Sequence, residues 1–315
     1  MSKTAVVSGG NGLIGRKLVL DLANNNYKVF VLGKSSELNS EITSNMGEKQ
    51  IKYIRIPEII YFEDEVSRQL CEHISEEDRT PIFYNLAWKG KNQLVDGNIN
   101  DQFNNIHVGT EFVKIAAKIN AVKFVNLGSL EEISLARFLK EKHNKKFELD
   151  HKSYALAKLA ARDALAFESY VCKIDFVHAR LSSVIDCGLK TPKYVEKTLK
   201  QILNNQEFER PRNKEIYNLC SLETIASQLV FVGEKGCNNC EYVLGSRHAF
   251  TFETYFNKFI NFLKGRGIDD EPVGNQIGLF LKSEDFDNGD FFNDANSSLT
   301  EEVVELFERI KKCHR

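Results

Sequence analysis

Ser8-Gly9-Gly10-Asn11-Gly12-Leu13-Ile14-Gly15, preceded by the apolar run Ala5-Val6-Val7, decides the fold. A short buried strand stops at a tight glycine turn, and an apolar-periodic stretch (Leu18, Val19, Leu22) begins at once. The first N–H groups of a helix have no partners within it and point at whatever lies beyond the turn, while glycines let backbone approach that group closely. Such a strand–turn–helix unit suits a dinucleotide pyrophosphate. The glycines fall at 9, 12 and 15, a G-x-x-G-x-x-G spacing rather than G-x-G-x-x-G. Many loops carry three glycines; the flanking strand and helix give this triplet its meaning.

The same alternation continues outward. Val29–Leu32, Ile51–Ile56, Ile82–Leu86, Phe124–Leu127 and Ile174–Val177 read as strands, and Glu65–Ile74, Asp101–Ile119 and Tyr154–Tyr170 as helices. Alternating strands and helices predict an α/β fold, a parallel sheet with helices on both faces. After about residue 180 the rhythm loosens into a smaller lobe. There Tyr194–Leu203 and Phe252–Leu263 read as helices, Leu229–Val232 and Tyr242–Leu244 as strands, and Asn275–Phe292 shows no period.

Composition narrows the function. With 42 Lys and Arg against 44 Asp and Glu in 315 residues, the net charge is −2 and leaves no electrostatic footprint for nucleic acid. No apolar run reaches the roughly 18 residues of a membrane span, and the N-terminus carries no charged-then-apolar leader, so the expectation is a cytoplasmic protein without a membrane partner. Seven scattered cysteines fit reduced thiols. Cys237-Asn238-Asn239-Cys240 is a lone C-x-x-C without a second pair, which reads as a polar turn; no metal is expected.

Two further anchors carry chemistry. Tyr154 and Lys158 stand four apart on a predicted helix and share a face. A nearby ammonium favours tyrosinate, and a phenol so tuned can pass a proton to or from an alcohol or carbonyl oxygen. Ser129 follows the strand Phe124–Leu127, where a hydroxyl at the carboxyl end of a parallel strand faces the ligand crevice.

Together the glycine turn, Ser129 and the Tyr154/Lys158 pair resemble the short-chain dehydrogenase/reductase family. Chain length, the Asn85-Leu86-Ala87-Trp88 segment and the C-terminal lobe resemble its extended branch of sugar-nucleotide epimerases, dehydratases and ketoreductases. The resemblance implies a Rossmann-type doubly wound sheet over residues 1–180, with 216–232 returning to it, and a substrate-binding lobe over 181–315. It implies that Gly9, Gly12 and Gly15 carry the pyrophosphate turn, lined by Asn11, Leu13 and Ile14, with Leu86 and Ala87 beside the cofactor. Ser129 would hydrogen-bond the reacting sugar oxygen, Tyr154 would be the acid/base, and Lys158 would hold the nicotinamide ribose and tune Tyr154. Members commonly form homodimers through the helices that Asp101–Ile119 and Tyr154–Tyr170 resemble.

Departures from the family pattern sharpen the expectation. Where NAD-preferring members place an acid after the second strand, this chain has Gly33-Lys34-Ser35, and Lys34 with Ser35 suits the 2′-phosphate of NADP(H); NAD(H) is the alternative. Family dehydratases follow the serine or threonine with an acid pair, but Leu130 takes the first of those places and only Glu131 the second. Gly128-Ser129-x-x-Glu132 is similar to a subgroup associated with deoxysugar ketoreductases and epimerases of surface-polysaccharide synthesis. Trp88 and Glu131 are further candidates at the substrate. Ser183 stands near the place of a family asparagine, and Arg180, Arg210, Arg212 and the Gly245-Ser246-Arg247 turn are candidates for a nucleotide diphosphate. The expected activity is NADP(H)-dependent reduction of a nucleotide-linked 4-keto-hexose. The alternatives are an NAD-dependent C4 epimerase, a 4,6-dehydratase, and a non-catalytic NADP-binding regulator.

Overall fold

The computed structural model describes residues 3–45, 51–58, 61–75, 80–90, 99–141, 152–191, 193–211, 216–246, 249–268, 276–277, 281–282 and 299–314. The chain divides into two units, Met1–Arg180 with Ala226–Tyr242 and Leu181–Ile225 with Val243–Arg315.

The first unit alternates β1 (Lys3–Ser8), α1 (Leu13–Asn24), β2 (Tyr27–Gly33), α2 (Ser40–Asn45), β3 (Ile51–Arg55), α3 (Glu63–Cys71), β4 (Ile82–Asn85), α4 (Ile99–Lys118), β5 (Lys123–Ser129), α5 (Glu131–Glu141), α6 (Lys152–Cys172) and β6 (Asp175–Leu181). The strands order as β10-β6-β5-β4-β1-β2-β3, with β10 running over Cys240–Leu244. The pairings β3·β2, β2·β1, β1·β4 and β4·β5 are parallel. Strand order reverses direction between β1 and β4, so their carboxyl ends open the crevice in which doubly wound sheets bind ligands. Ala5, Val6, Val7 and Val29 to Leu32 are wholly buried, as expected of strands covered on both faces. Phe30, Phe83, Phe112, Phe124 and Phe176 share one core cluster, with Phe83 stacked on Phe124 at 5.2 Å.

The run Leu229–Val232 is not a strand. It lies inside α8 (Leu222–Lys235), where Leu222, Ile225, Ala226, Leu229, Val230 and Val232 are buried. Four consecutive apolar residues fit a buried helix as well as a strand, and the helical spacing shows only over the longer window. The segment that returns to the first unit is Ala226–Tyr242, not 216–232; in it Lys3 and Tyr27 both hold Glu234 at 2.6 Å, and Lys123 Nζ donates to the Gly236 carbonyl at 2.7 Å. A Cβ at Gly233 would overlap the Tyr84 hydroxyl, which occupies that space.

The second unit holds β7 (Ser183–Ile185), α7 (Tyr194–Leu203), β8 (Ile216–Tyr217), β9 (Leu219–Ser221), β11 (Phe250–Thr251), α9 (Phe252–Leu263), β12 (Gln276–Ile277), β13 (Leu281–Lys282) and α10 (Leu299–Cys313). Its core combines Leu199, Ile202, Tyr255, Phe256, Phe259, Leu306 and Phe307 from the three helices. Thr251 caps α9 by accepting from the Thr254 N–H at 3.1 Å. Most of 275–292 lies outside the described residues. Among the described residues no helix is long and apolar enough to cross a membrane.

Candidate active site

The glycine turn closes against β4. Gly9 has φ +73°, and a Cβ there would lie 2.8 Å from Ala87 N and 2.9 Å from Leu86 C. Glycine is needed twice over, for the left-handed backbone and for the close approach. The Leu86 N–H donates to the Ser8 carbonyl at 3.1 Å, so Leu86 and Ala87 are fastened to the turn. Gly12 caps α1 without any side-chain hydrogen bond, and the first helical turn holds no acid. The dipole end of α1 is therefore not neutralised, and this cradle of backbone N–H groups beside half-buried Leu13 and Ile14 fits a diphosphate. Asn11 stands in the turn with its side chain directed to the segment after β2. Its amide donates to the Glu37 carbonyl and accepts from the Asn39 N–H, both at 3.0 Å, tying the turn to the segment after β2. At the end of β2, a Cβ on Gly33 would lie 2.8 Å from the Tyr53 hydroxyl, which donates to the Ser35 carbonyl. A longer side chain at 33 would have to displace the Tyr53 hydroxyl, while Lys34 and Ser35 stand exposed.

Ser129 ends β5, and Tyr154 and Lys158 project from α6. The structure brings the three together. Tyr154 is hydrogen-bonded to the Ser129 side chain, and the Lys158 ammonium lies 5.9 Å from the Tyr154 ring centre. Lys158 Nζ donates to the Leu127 carbonyl at 2.8 Å and sits 3.9 Å over the Trp88 ring. Trp88 meets Tyr154 edge-on at 5.9 Å and is anchored by its indole N–H to Gln102 at 2.8 Å. Burial pushes the Tyr154 phenol up to about 12; the Ser129 hydrogen bond pulls it down, and the Glu132 and Glu131 carboxylates push it further up. Burial pulls the Lys158 ammonium down to about 8, with Glu132 acting in the other direction. The expectation that Lys158 lowers the phenol is thus not met here: the ammonium is committed to Leu127 and Trp88, and desolvation dominates. The phenol is held as an acid, able to give a proton to an oxygen in front of it.

Behind the trio runs a buried polar ladder. Register places Ser8, Asn85 and Asn126 side by side on β1, β4 and β5. Ser8 donates to Asn85 at 2.7 Å, Asn85 to Asn126 at 2.9 Å, and Asn126 meets His178 Nδ1 on β6 at 3.2 Å. His178 Nε2 meets Glu132 at 2.7 Å. Nothing local in the sequence marks Ser8, Asn126 and His178 as partners, and Glu132 stands there only within the Gly128-Ser129-x-x-Glu132 pattern. Polar residues ending successive apolar strands were the available signal.

The remaining candidates are more scattered. Glu131 is half-buried, and its N–H donates to Ser129 Oγ at 3.3 Å. Arg180 is no diphosphate ligand in this arrangement: its guanidinium is spent inside on Glu132 at 3.2 Å and Glu241 at 2.7 Å. In the second unit, Ser183 is exposed on β7 and its N–H donates to the Asn218 carbonyl at 3.1 Å. Arg210 is exposed and paired with Glu253 at 3.2 Å. Ser246 turns inward onto the Leu219 carbonyl at 2.8 Å. Arg212 and Arg247 lie outside the described residues.

Residues 5–219, more than half of the chain, match the model of the NAD-dependent epimerase/dehydratase family. The chain belongs to this family. As a member it is an NAD(P)-dependent enzyme of the epimerase/dehydratase class. Its fold matches UDP-glucose 4-epimerase of Thermotoga maritima bound to UDP-glucose (TM-score 0.68, 18% identity, 99% of this chain and 100% of that one). It also matches the dTDP-glucose 4,6-dehydratase of Bacillus anthracis in complex with NAD (TM-score 0.68, 15% identity, 99% and 97% covered). UDP-N-acetylglucosamine 4-epimerase of Bacillus cereus aligns similarly (TM-score 0.66, 14% identity, 98% and 97% covered). Identities this low establish a shared fold. A comparison with curated proteins gives no significant sequence match.

Proposed function

We propose that this enzyme is an NADP(H)-dependent reductase of a nucleotide-linked 4-keto-hexose, of the kind that serves deoxysugar and surface-polysaccharide synthesis. The Tyr154–Ser129 pair carries the reading: a half-buried phenol, hydrogen-bonded to a hydroxyl, beside a buried ammonium. Reduction of a ketone needs an acid at the oxygen, and a neutral phenol is one. A 4,6-dehydratase needs an acid at 130, where this chain has Leu130. A mere cofactor-binding regulator has no use for an ammonium buried beside that pair.

The reduced nicotinamide, when bound, supplies the hydride. The protein manages the oxygen. Ser129 hydrogen-bonds the carbonyl, Tyr154 gives its proton to the developing alkoxide, and water restores the proton to Tyr154. Lys158 would hold the ribose hydroxyls, Gly9, Gly12, Leu13, Ile14 and Gly15 would receive the diphosphate, and Leu86 and Ala87 would flank the cofactor. The absence of an acid at Gly33, with exposed Lys34 and Ser35 beside it, favours the 2′-phosphate of NADP(H) over the free hydroxyl of NAD(H). The neighbours named for UDP-glucose, dTDP-glucose and UDP-N-acetylglucosamine favour a nucleotide-linked sugar as substrate. Trp88 and Glu131 are the candidates for the sugar in the first unit, and Ser183, Arg210 and Arg212 the candidates for the nucleotide in the second. Apolar side chains left exposed on α4 (Ile99, Phe103) and α6 (Leu156, Phe167, Tyr170, Val171) favour a homodimer. The free thiols fit work in the cytoplasm.

The test is spectrophotometric. Purified protein given NADPH and a nucleotide-linked 4-keto-6-deoxyhexose should consume NADPH steadily, whereas a C4 epimerase returns its hydride and shows no net consumption. Tyr154→Phe should bind NADPH normally and lose nearly all turnover. Full turnover in that variant removes Tyr154 from its role.

A further inference from the structure

Glu132 does no chemistry in the mechanism above, yet it is completely buried and collects donors on both oxygens. Oε1 accepts the Ser129 N–H at 2.7 Å, and Oε2 meets His178 Nε2 at 2.7 Å and Arg180 Nε at 3.2 Å. The ladder sets the direction of every bond. Asn85 accepts from Ser8 and donates to Asn126, which accepts there and donates onward to His178 Nδ1. An imidazole accepting at Nδ1 carries its proton at Nε2 and donates it to Glu132. The carboxylate therefore closes a one-way chain of donors that starts at the glycine turn. Burial alone would raise its proton affinity, but the hydrogen bond from His178 and the nearby Arg180 and Lys158 charges hold it well below the usual range, so it stays charged. Gly128 makes the room: a Cβ there would collide with His178 Nε2 and lie 2.5 Å from Glu132 Oε1.

A plainer reading exists. Ser129 Oγ accepts from the Glu131 N–H while Glu132 reaches back to the Ser129 N–H, which is a capping box starting α5. A cap on the surface would work equally well with Gln and would need neither His178 nor Arg180. What exceeds a cap is the second oxygen, buried between two donors that both require an acceptor.

We infer that Glu132 is a positioning residue: its charged carboxylate pins the Ser129 peptide so that the Ser129 hydroxyl is held on Tyr154, and the ladder from Ser8 to His178 keeps the carboxylate in place. The inference rests on the reading of Ser129 and Tyr154 as reacting groups.

Glu132→Gln separates the two roles. The amide keeps the shape and the capping ability, but its NH2 would face either the Ser129 N–H or the His178 and Arg180 donors, so one side loses its acceptor. Expected are NADPH affinity and KM close to wild type, with kcat lower by about 100-fold, the loss that a misplacement of about an ångström brings. In the apoprotein, hydrogen–deuterium exchange of a peptide spanning residues 126–133 should be faster in the variant, a readout independent of substrate. If Glu132→Gln fails to fold, Glu132→Asp carries the test, because it keeps the charge for His178 and Arg180 but falls one carbon short of the Ser129 N–H; the same losses are expected. Wild-type kcat or wild-type exchange in the folded variant, with Tyr154→Phe inactive, overturns the positioning role alone. An active Tyr154→Phe instead overturns the reading beneath it.

Discussion

Lys158→Met should abolish turnover and yet make the apoprotein more stable at neutral pH. Lys158 is buried, and its ammonium titrates near 8 rather than 10.5, chiefly through desolvation. At about 1.4 kcal/mol for each tenfold change, the folded state disfavours the charged form by about 3 kcal/mol. Methionine has a similar length and removes that penalty. It also gives up the hydrogen bond to the Leu127 carbonyl at 2.8 Å, about 1 kcal/mol, and the contact over the Trp88 ring at 3.9 Å, about 1 kcal/mol more. The balance favours the variant by about 1 kcal/mol, or a few °C in Tm. The pH dependence is sharper than the magnitude. With the folded pKa below the unfolded one, the unfolded chain binds the extra proton between about pH 8 and 10.5. The wild type therefore gains stability as pH rises through that window, and the variant does not. Above it, the neutral lysine keeps its hydrogen bond and the methionine has none, so the order reverses. Thermal unfolding of both proteins from pH 7 to about pH 11 measures the difference, in which groups common to both cancel. A methionine variant that is less stable at pH 7 by an amount independent of pH would refute the reasoning.

Two further outcomes are expected. Gly233→Ala should destabilise the protein by about 1–3 kcal/mol in urea titrations, because the added methyl overlaps the buried Tyr84 side chain, whose hydroxyl has no hydrogen-bond partner among the described residues; adding Tyr84→Phe should restore only part of the loss, since ring carbons Cζ and Cε1 still lie 2.6 and 2.9 Å from the methyl, and no destabilisation by Gly233→Ala would refute the overlap. Light scattering after size exclusion should find a dimer for the wild type and a monomer for Phe167→Asp/Tyr170→Asp, since these side chains are 68% and 81% exposed on α6; a variant that remains dimeric moves the interface to another face.

The parts of the molecule legible in the sequence are those whose physics is local. The glycine turn announces itself because a strand, a left-handed residue and a helix start fall within a dozen positions. Tyr154 and Lys158 are legible because helix geometry puts residues four apart on one face. The reading failed where a short window holds two answers, as in Leu229–Val232, whose helical spacing shows only across α8. It failed again where partners are distant in sequence. Arg180 looked like a free guanidinium because the carboxylates that consume it sit at 132 and 241. The helix over Glu131–Glu141 went unseen behind its two leading acids, one of which is buried and paired. The predicted tuning of Tyr154 by Lys158 assumed that closeness along a helix means mutual influence; the ammonium instead bonds to a strand carbonyl.

Asn11 bears on how cofactor choice could be re-engineered. Because its amide bridges the glycine turn to Glu37 and Asn39, the stretch proposed to discriminate between cofactors is not an independent module. A graft replacing residues 33–39 with the corresponding loop of an NAD-dependent relative would unhitch the diphosphate cradle as well, and would lose affinity for both cofactors unless the incoming loop offers Asn11 one carbonyl and one N–H in the same places. Selection for a cofactor swap in this chain should therefore return compensating changes at position 11, or loops that leave it satisfied.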